Sequence, residues 1–189
     1  LNMIAAAIPA TTVLFYISDS LKQEAKGGYF LLTYFLAALL AVKPILHLLK
    51  KFKAIDLWLV NNGLVILTFA LAFLLNQENY QLYYLICLIT GFGLAADLII
   101  PYILLNQLTA KISGQGMLYG IWNFITKLAL ALGAAIALFS LDYLAYDNYL
   151  EADFNWPINL VYALLPCLFK ILNSIMLLIY RHQLSSNDV

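Results

Sequence analysis

Residues 80–105 read YQLYYLICLITGFGLAADLIIPYILL, and Asp97 is the only charged residue among them. A hydrocarbon core about 30 Å thick is crossed by about 20 residues of α-helix. This segment is long enough, and it lacks the apolar/polar alternation of a membrane-barrel strand. Because a spanning segment must satisfy its own backbone hydrogen bonds, the sequence predicts a transmembrane helix here.

Five further segments have the same character, and short connections with turn residues separate them. With the first segment they occupy residues 3–18, 29–49, 57–75, 80–105, 117–141 and 158–180. The sequence therefore predicts an all-α integral membrane protein, with a single six-helix transmembrane bundle over residues 1–189.

The composition excludes a soluble enzyme. Hydrophobic residues make up 64% and charged residues 11% of the chain, against about 45–50% and about 25% in soluble domains. Ten acidic and ten basic side chains do not supply the polar surface that such a domain needs. The net charge of +0 also leaves no basic face for nucleic acid.

No catalytic, metal or cofactor motif is present in the sequence. Cys87 and Cys167 lie in apolar runs without metal-ligand spacing, and the two histidines are isolated. Gly91, Gly93 and Ala96 match a loose G-x-G-x-x-A pattern, but they lie in mid-span, where no strand precedes them. We expect no cofactor, and we interpret these glycines as points of close packing or flexibility.

The loops divide into a basic and an acidic set. Lys43, His47, Lys50, Lys51, Lys53, Lys111, Arg181 and His182 lie in or beside the even-numbered connections and the C-terminus. The other connections hold Glu78, Asp142, Asp147, Glu151 and Asp153, with Lys22 and Lys26 as their only bases. Since basic loops stay cytoplasmic, we expect both ends of the chain in the cytoplasm and the protein in the cytoplasmic (inner) membrane.

Three charged residues lie deep inside the predicted spans, at least eight residues from either end: Asp97, Lys127 and Lys170. A charge at a helix centre costs about 2.5–3.5 kcal/mol on insertion scales, so such residues face a cavity or a partner and are functional by default. Asp97 and Lys127 lie at matching depths, about 12 and 15 Å from the cytoplasmic side. Lys127 therefore has three interpretations. It lines a transport path, it forms a permanent ion pair with Asp97, or its stem extends so that the ammonium group reaches the interface.

Spacings of three and four place small and polar residues on one face of each of two helices. The fourth helix carries Thr90, Gly93, Asp97 and Pro101, and the fifth carries Gly116, Gly120, Asn123, Lys127, Ala131 and Ala134. We expect both faces to point into the bundle. Lys170 shares a stripe with Tyr162, Pro166 and Asn173, but it is roughly 16 Å from Arg181 and is expected to reach water in part along its stem.

Other polar side chains cluster on the first and third helices. Thr12, Tyr16 and Asp19 share one face near the outer side, and Asn61, Asn62 and Thr68 lie on the third helix. Such groups bind sugar hydroxyls, and they also link helices by hydrogen bonds. The sequence leaves both interpretations open.

Residues 113–133, SGQGMLYGIWNFITKLALALG, resemble the loop and eleventh helix of the glycoside-pentoside-hexuronide:cation symporters. These form the melibiose-permease-like branch of the major facilitator superfamily, and they carry a glycine-rich loop before an aromatic helix with an embedded lysine. The motifs at residues 7–9 (AIP) and 14–16 (LFY), with Asp19, are similar to the family's seventh helix. Residues 28–32 (GYFLL), continuing to Pro44, are similar to its eighth.

The resemblance implies that these are helices seven to twelve of a twelve-helix transporter, without its N-terminal six-helix half. The start at Leu1 and Asn2 also suggests a chain cut from something longer. In the family the lysine that matches Lys127 takes part in transport. One departure is that Asn106 and Gln107 stand where the family usually has acidic loop residues, which puts the cytoplasmic gate in doubt.

The sequence thus predicts secondary active transport of a sugar-like solute, coupled to H⁺ or Na⁺, by alternating access. Lys127, Asn123 and Trp122 are expected to line the C-terminal wall of the path, with Asp97 on the facing helix and Tyr16 and Asp19 nearer the outer mouth. One alternative is a lipid or amphiphile transporter of the same fold, which would show a lateral opening lined by apolar side chains. Another is a non-transporting membrane scaffold.

Overall fold

The computed structural model describes residues 1–110, 115–150 and 155–185, with side chains described as far as Arg181. Within these ranges the chain is helical and contains no strand. The helices are α1 (Asn2–Phe15), α2 (Gly27–Leu48), α3 (Ala54–Ala72), α4 (Leu82–Thr109), α5 (Gln115–Tyr143), α6 (Trp156–Asn159) and α7 (Leu165–Ser185). Two π-helical turns, Tyr16–Ser20 and Leu160–Leu164, extend α1 and join α6 to α7.

Among the described residues, six helical segments are long and apolar enough to span a membrane, which confirms the predicted fold class. Each overlaps one predicted span, and α4 and α5 extend further than predicted. Hydrogen bonds join the end of α4 to the start of α5: Gln115 Nε2 donates to the Thr109 carbonyl at 3.0 Å, and the Tyr119 hydroxyl to Asn106 Oδ1 at 3.3 Å. These polar residues satisfy each other locally, so they continue the helices instead of ending them.

Three prolines, a residue type that commonly kinks or ends a helix, lie inside helices. Pro9 is within α1, Pro44 within α2 and Pro101 within α4, so none of them ends its helix. Pro166 is the second residue of α7, directly after the π-helical turn at Leu160–Leu164. There the missing N–H of proline falls where the hydrogen-bond pattern already changes.

The helices pack as an open series in which sequence neighbours are mostly not spatial neighbours. α2 packs on α4, α4 on α3, α3 on α7, α7 on α1 and α1 on α5. The most buried helices therefore lie in the middle of the series, and α2 and α5 flank it. Only Gly133, Ala137 and Leu141 are buried on α5, where it meets α1.

Glycines permit the closest contacts between helices. A Cβ at Gly133 of α5 would lie 2.6 Å from the Cβ of Ala7 and 2.8 Å from the Ile4 carbonyl oxygen, both on α1. A Cβ at Gly93 of α4 would lie 2.5 Å from Val65 Cγ2 on α3. These distances are below van der Waals contact, so only glycine fits, and close packing is the role of these positions.

Contacts between connections define the two ends of the bundle. At one end the loops after α1, α3 and α5 meet, because Lys26 lies against Tyr80 and Lys22 bonds to the Leu150 carbonyl. At the other end Arg181 pairs with Asp56 at 2.7 Å, which joins the α2–α3 loop to the end of α7. We call the first the acidic end, because Glu78, Asp142 and Asp147 lie in or beside its loops. We call the second the basic end, because the α2–α3 loop holds Lys50, Lys51 and Lys53. Lys111, Glu151, Asp153 and the His182 side chain, all used in the orientation argument, lie outside the described residues.

Gly133→Ala is expected to lower the free energy of unfolding by about 1–3 kcal/mol, because the added methyl overlaps the backbone of α1. Gly120→Ala on the same helix is the matched control, since nothing lies within 4 Å of its new Cβ. Alanine there removes a helix-destabilising glycine, so stability should be unchanged or rise by up to about 1 kcal/mol. Thermal unfolding of both variants in detergent measures the difference, and equal melting temperatures would contradict the close contact between α1 and α5.

Candidate functional site

A buried ion pair lies at the centre of the bundle. The Lys170 ammonium on α7 donates to Asp97 Oδ2 on α4, and the residues are 3% and 4% exposed. The alternative interpretation of the sequence, a permanent pair between Asp97 and Lys127, is therefore wrong. Matching depth does not bring two side chains together: α4 packs mainly on α2 and α3, whereas α5 packs mainly on α1.

Three donors hold the Asp97 carboxylate. Besides Lys170, Trp58 Nε1 donates to Oδ1 at 3.1 Å and Asn61 Nδ2 donates to the same oxygen at 3.2 Å. Asn61 is also 3.4 Å from the Gly93 carbonyl oxygen. The face of α4 that carries Gly93 and Asp97 is buried, so the prediction that it points into the bundle is confirmed.

Three oxygens surround the Lys170 ammonium. It donates to Asn2 Oδ1 at 2.7 Å and to Asn62 Oδ1 at 3.0 Å, as well as to Asp97. An ammonium group only donates, so both amides turn their oxygens toward it. Their Nδ2 groups are left buried without a partner among the described residues. The ion pair thus draws residues of α1, α3, α4 and α7 to one point.

The burial of Lys170 corrects the expectation that its stem reaches water. The signal was present in the sequence, because Lys170 shares a helical stripe with Asn173, which is also buried. Sequence distance from Arg181 gave the wrong answer, since it measures depth along α7 and not the direction of the side chain. In hydrocarbon or a packed core a charge needs a counter-charge, and Asp97 supplies it.

Two adjoining cavities lead from the flank of the bundle toward this ion pair. The larger, about 120 Å³, lies between α1, α2 and α4, and Phe30, Tyr83 and Tyr162 form part of its largely apolar wall. The smaller, about 40 Å³, is lined by both Asp97 and Lys170. The side chains that border both cavities are Pro9, Tyr34, Phe69 and Thr90. Tyr34 makes no hydrogen bond with a described residue, so its hydroxyl is available to a ligand.

Tyr16, a predicted path residue, lies in an aromatic core. Its ring stacks on Tyr162 with centroids 4.1 Å apart, and its hydroxyl donates to the Ala72 carbonyl at 2.6 Å. The Tyr83 and Tyr162 hydroxyls are 2.6 Å apart in the same cluster. Tyr16 is fully buried and does not border either cavity in this conformation. Its role in transport stays a prediction.

Asp19 lies at the acidic end, where it accepts a hydrogen bond from the Tyr146 hydroxyl. Burial and this hydrogen bond raise the pKa of Tyr146 above its ordinary value, so the phenol stays protonated and remains a donor. Asp19 and Tyr146 line an open groove of about 500 Å³ with Glu24. Asp19 therefore lies beside an open groove, and its role near the outer mouth of a path stays a prediction.

The other polar residues of α1 and α3 are used within the bundle. The Thr12 and Thr68 hydroxyls bond to carbonyls of their own helices, those of Ile8 and Leu64. Asn61 and Asn62 bond to the buried ion pair, as described above. Of the two interpretations left open, links within and between helices describe these contacts, and solute binding is not needed to account for them.

The polar face of α5 points away from the bundle, contrary to prediction. Asn123 and Lys127 are exposed, together with Gly116, Gly120 and Ala131, and Ala134 of the same face is half-buried. Asn123 Oδ1 accepts from the Tyr102 hydroxyl of α4 at 2.8 Å, and Trp122 meets the same ring edge-on at 6.2 Å. Lys127 has no hydrogen bond or ion pair with a described residue. The residues of the predicted site therefore lie in two separate places. Asp97 is in the core, whereas Lys127, Asn123 and Trp122 lie on one flank of the bundle.

Comparison with known proteins identifies the family. Residues 1–186 match the family described as MFS/sugar transport protein, where MFS denotes the major facilitator superfamily. The chain belongs to this family. No significant match was found among curated proteins or among solved structures. Major facilitator proteins are in general transporters and not enzymes, so the family agrees with a membrane transport protein built from these six helices.

Lys170→Ala is expected to lower the free energy of unfolding by about 3–5 kcal/mol, because it leaves the Asp97 carboxylate buried without a counter-charge. The double variant Asp97→Asn/Lys170→Met should recover most of this loss. It removes both charges and keeps an acceptor for Trp58. Thermal unfolding in detergent gives the comparison. If the single variant unfolded at the wild-type temperature, the pair would not be the buried interaction described above.

Proposed function

We propose that this chain is the C-terminal half of a secondary active transporter of the melibiose-permease-like branch, moving a sugar-like solute together with H⁺ or Na⁺. The observation that carries the proposal is the exposed polar face of α5. An ammonium group in a span is costly against acyl chains, yet Lys127 has no counter-charge among the described residues. A polar path between this bundle and a second six-helix half would accommodate it.

The packing of this half suits alternating access. The Asp97–Lys170 pair ties four helices together, so the bundle is suited to move as one body when two halves rock against each other. The exposed flank with Asn123 and Trp122 would then form one wall of a central path. An aromatic ring and an amide beside a cation are groups that bind a polyhydroxylated ring by stacking and hydrogen bonding.

The charge distribution supports an orientation for this proposal. The basic end holds Lys50, Lys51 and Lys53, and basic loops are retained on the cytoplasmic side. We therefore place this end, and both termini of the chain, in the cytoplasm. The Asp19 groove would face the outside, as an entrance for solute.

Lys127→Ala in the complete gene product is expected to reduce solute uptake by roughly tenfold or more, the effect of removing a required charged contact. Folding should be unaffected, because Lys127 is exposed and bonds to no described residue. Uptake of labelled glycosides by expressing cells, with thermal unfolding of the purified variant, separates the two effects. Normal uptake by a correctly inserted Lys127→Ala protein would favour the membrane scaffold instead.

One observation favours a second candidate, transport of a lipid or another amphiphile. The cavity of about 120 Å³ is lined mainly by apolar and aromatic side chains, and exposed Ala10 and Phe35 border it on α1 and α2. An engineered apolar cavity of about 150 Å³ binds benzene, so a hydrocarbon group fits here better than a sugar ring. The cavity lies at the side of the bundle, which is where a path for a lipid would open.

Ala10→Phe is expected to fill the mouth of this cavity and to abolish uptake of a lysophospholipid if the cargo is an amphiphile. Uptake of a glycoside through the α5 flank should then persist. Leu39→Phe, at an exposed position one turn from Phe35 on α2 and outside the cavity lining, is the matched control. Uptake of both labelled compounds by the two variants decides the cargo, and loss of glycoside uptake alone would contradict the amphiphile candidate.

A further inference from the structure

The two ends of the bundle use their lysines differently. At the acidic end, Lys22 Nζ donates to the Leu150 carbonyl at 2.6 Å. Lys26 Nζ lies 3.9 Å from the centre of the Tyr80 ring, a cation–π contact. Both lysines at this end therefore have partners within the chain, and these contacts partly compensate their positive charges.

At the basic end several cations have no such partner. Lys43, Lys50 and Lys51 are exposed, and none of their ammonium groups forms a hydrogen bond or ion pair with a described residue. Asp56 is the only acidic side chain at this end in the described part of the chain, and Arg181 already pairs with it at 2.7 Å. The positive charge is thus left for something outside the chain.

The loop between α2 and α3 presents Lys50 and Lys51 on a fixed backbone, and Lys43 lies within α2 about two turns before them. The Lys51 and Phe52 N–H groups both donate to the Leu48 carbonyl at 2.9 Å, and the Lys50 N–H donates to His47. The turn is therefore a hydrogen-bonded extension of α2. It holds Phe52 beside the lysines with 58% of its surface exposed.

The position of this turn determines which partner it meets. It joins two helices that both span the membrane, so it lies at the boundary between the acyl chains and water. At that depth an exposed aromatic ring enters the interfacial region, and lysine stems extend so that their ammonium groups reach the phosphates. A soluble anion would satisfy the lysines but would leave the Phe52 ring in water.

We propose that Lys43, Lys50, Lys51 and Phe52 form a binding site for the headgroup of an anionic phospholipid. The ammonium groups contact the phosphodiester and the second acidic or hydroxylated part of the headgroup, and Phe52 packs against the glycerol and upper acyl region. The site goes beyond the proposed transport function, because it exists in any bilayer that contains such a lipid and does not depend on the solute.

The test is to purify the protein from phosphatidylcholine bilayers that contain a minority of phosphatidylglycerol, and to count retained lipids by native mass spectrometry. The wild-type protein should retain phosphatidylglycerol in preference to phosphatidylcholine. Lys50→Gln/Lys51→Gln should reduce that preference by at least roughly tenfold. Lys50→Arg/Lys51→Arg, which keeps the charge, should retain it, and Phe52→Ala should weaken it by a smaller factor.

The matched control is Lys22→Gln/Lys26→Gln, which removes the same charge from the acidic end and should leave lipid retention at the wild-type level. Glycerol phosphate in excess should not displace the lipid; displacement would make the site one for soluble phosphates and overturn the proposal. Equal retention by the wild type and Lys50→Gln/Lys51→Gln would overturn it, and so would equal losses in both glutamine variants. High salt offers a test without mutation, since it should release phosphatidylglycerol from the wild-type protein.

Discussion

The ion pair between Asp97 and Lys170 is the interaction on which the rest of this bundle depends. A charge buried in a low-dielectric interior is tolerated only with a counter-charge and further hydrogen bonds. Here those bonds come from Asn2, Asn62 and Trp58 as well as from the pair itself. Four helices must therefore meet at one point, and this fixes which helices form the centre and which lie at the flanks.

This arrangement gives Lys127 and Lys170, the two lysines deep in the spans, different surroundings. Lys170 is neutralised inside the bundle, whereas Lys127 lies on the flank formed by α5 and has no partner among the described residues. A charge already paired in the core needs no further partner, whereas a charge left on the surface of a span needs a polar environment outside it. In the proposed transporter that environment is the solute path between two halves.

Hydropathy was sufficient to predict the six spans, because the length of an apolar run has one physical meaning in a bilayer. Helical spacing also predicted the buried face of α4 with Asp97. The partner of Asp97 was not predictable, since residues at equal depth meet only if their helices are neighbours. The packing order depends on close contacts such as that of Gly133 with Ile4. A sequence pattern shows that a residue is small, but it does not show which helix packs against that residue. For the same reason, the sequence did not predict that the Tyr16 ring stacks on Tyr162.

The central claim is that the α5 flank faces an aqueous path while the ion pair is sealed inside the bundle. Thiol accessibility in membrane vesicles carrying the complete gene product measures this directly, with a charged, membrane-impermeant reagent. The account predicts labelling of Lys127→Cys and Asn123→Cys. It predicts no labelling of Leu128→Cys on the adjoining face or of native Cys167, which is buried three residues before Lys170. An unreactive Cys at 127, or a reactive Cys167, would contradict it.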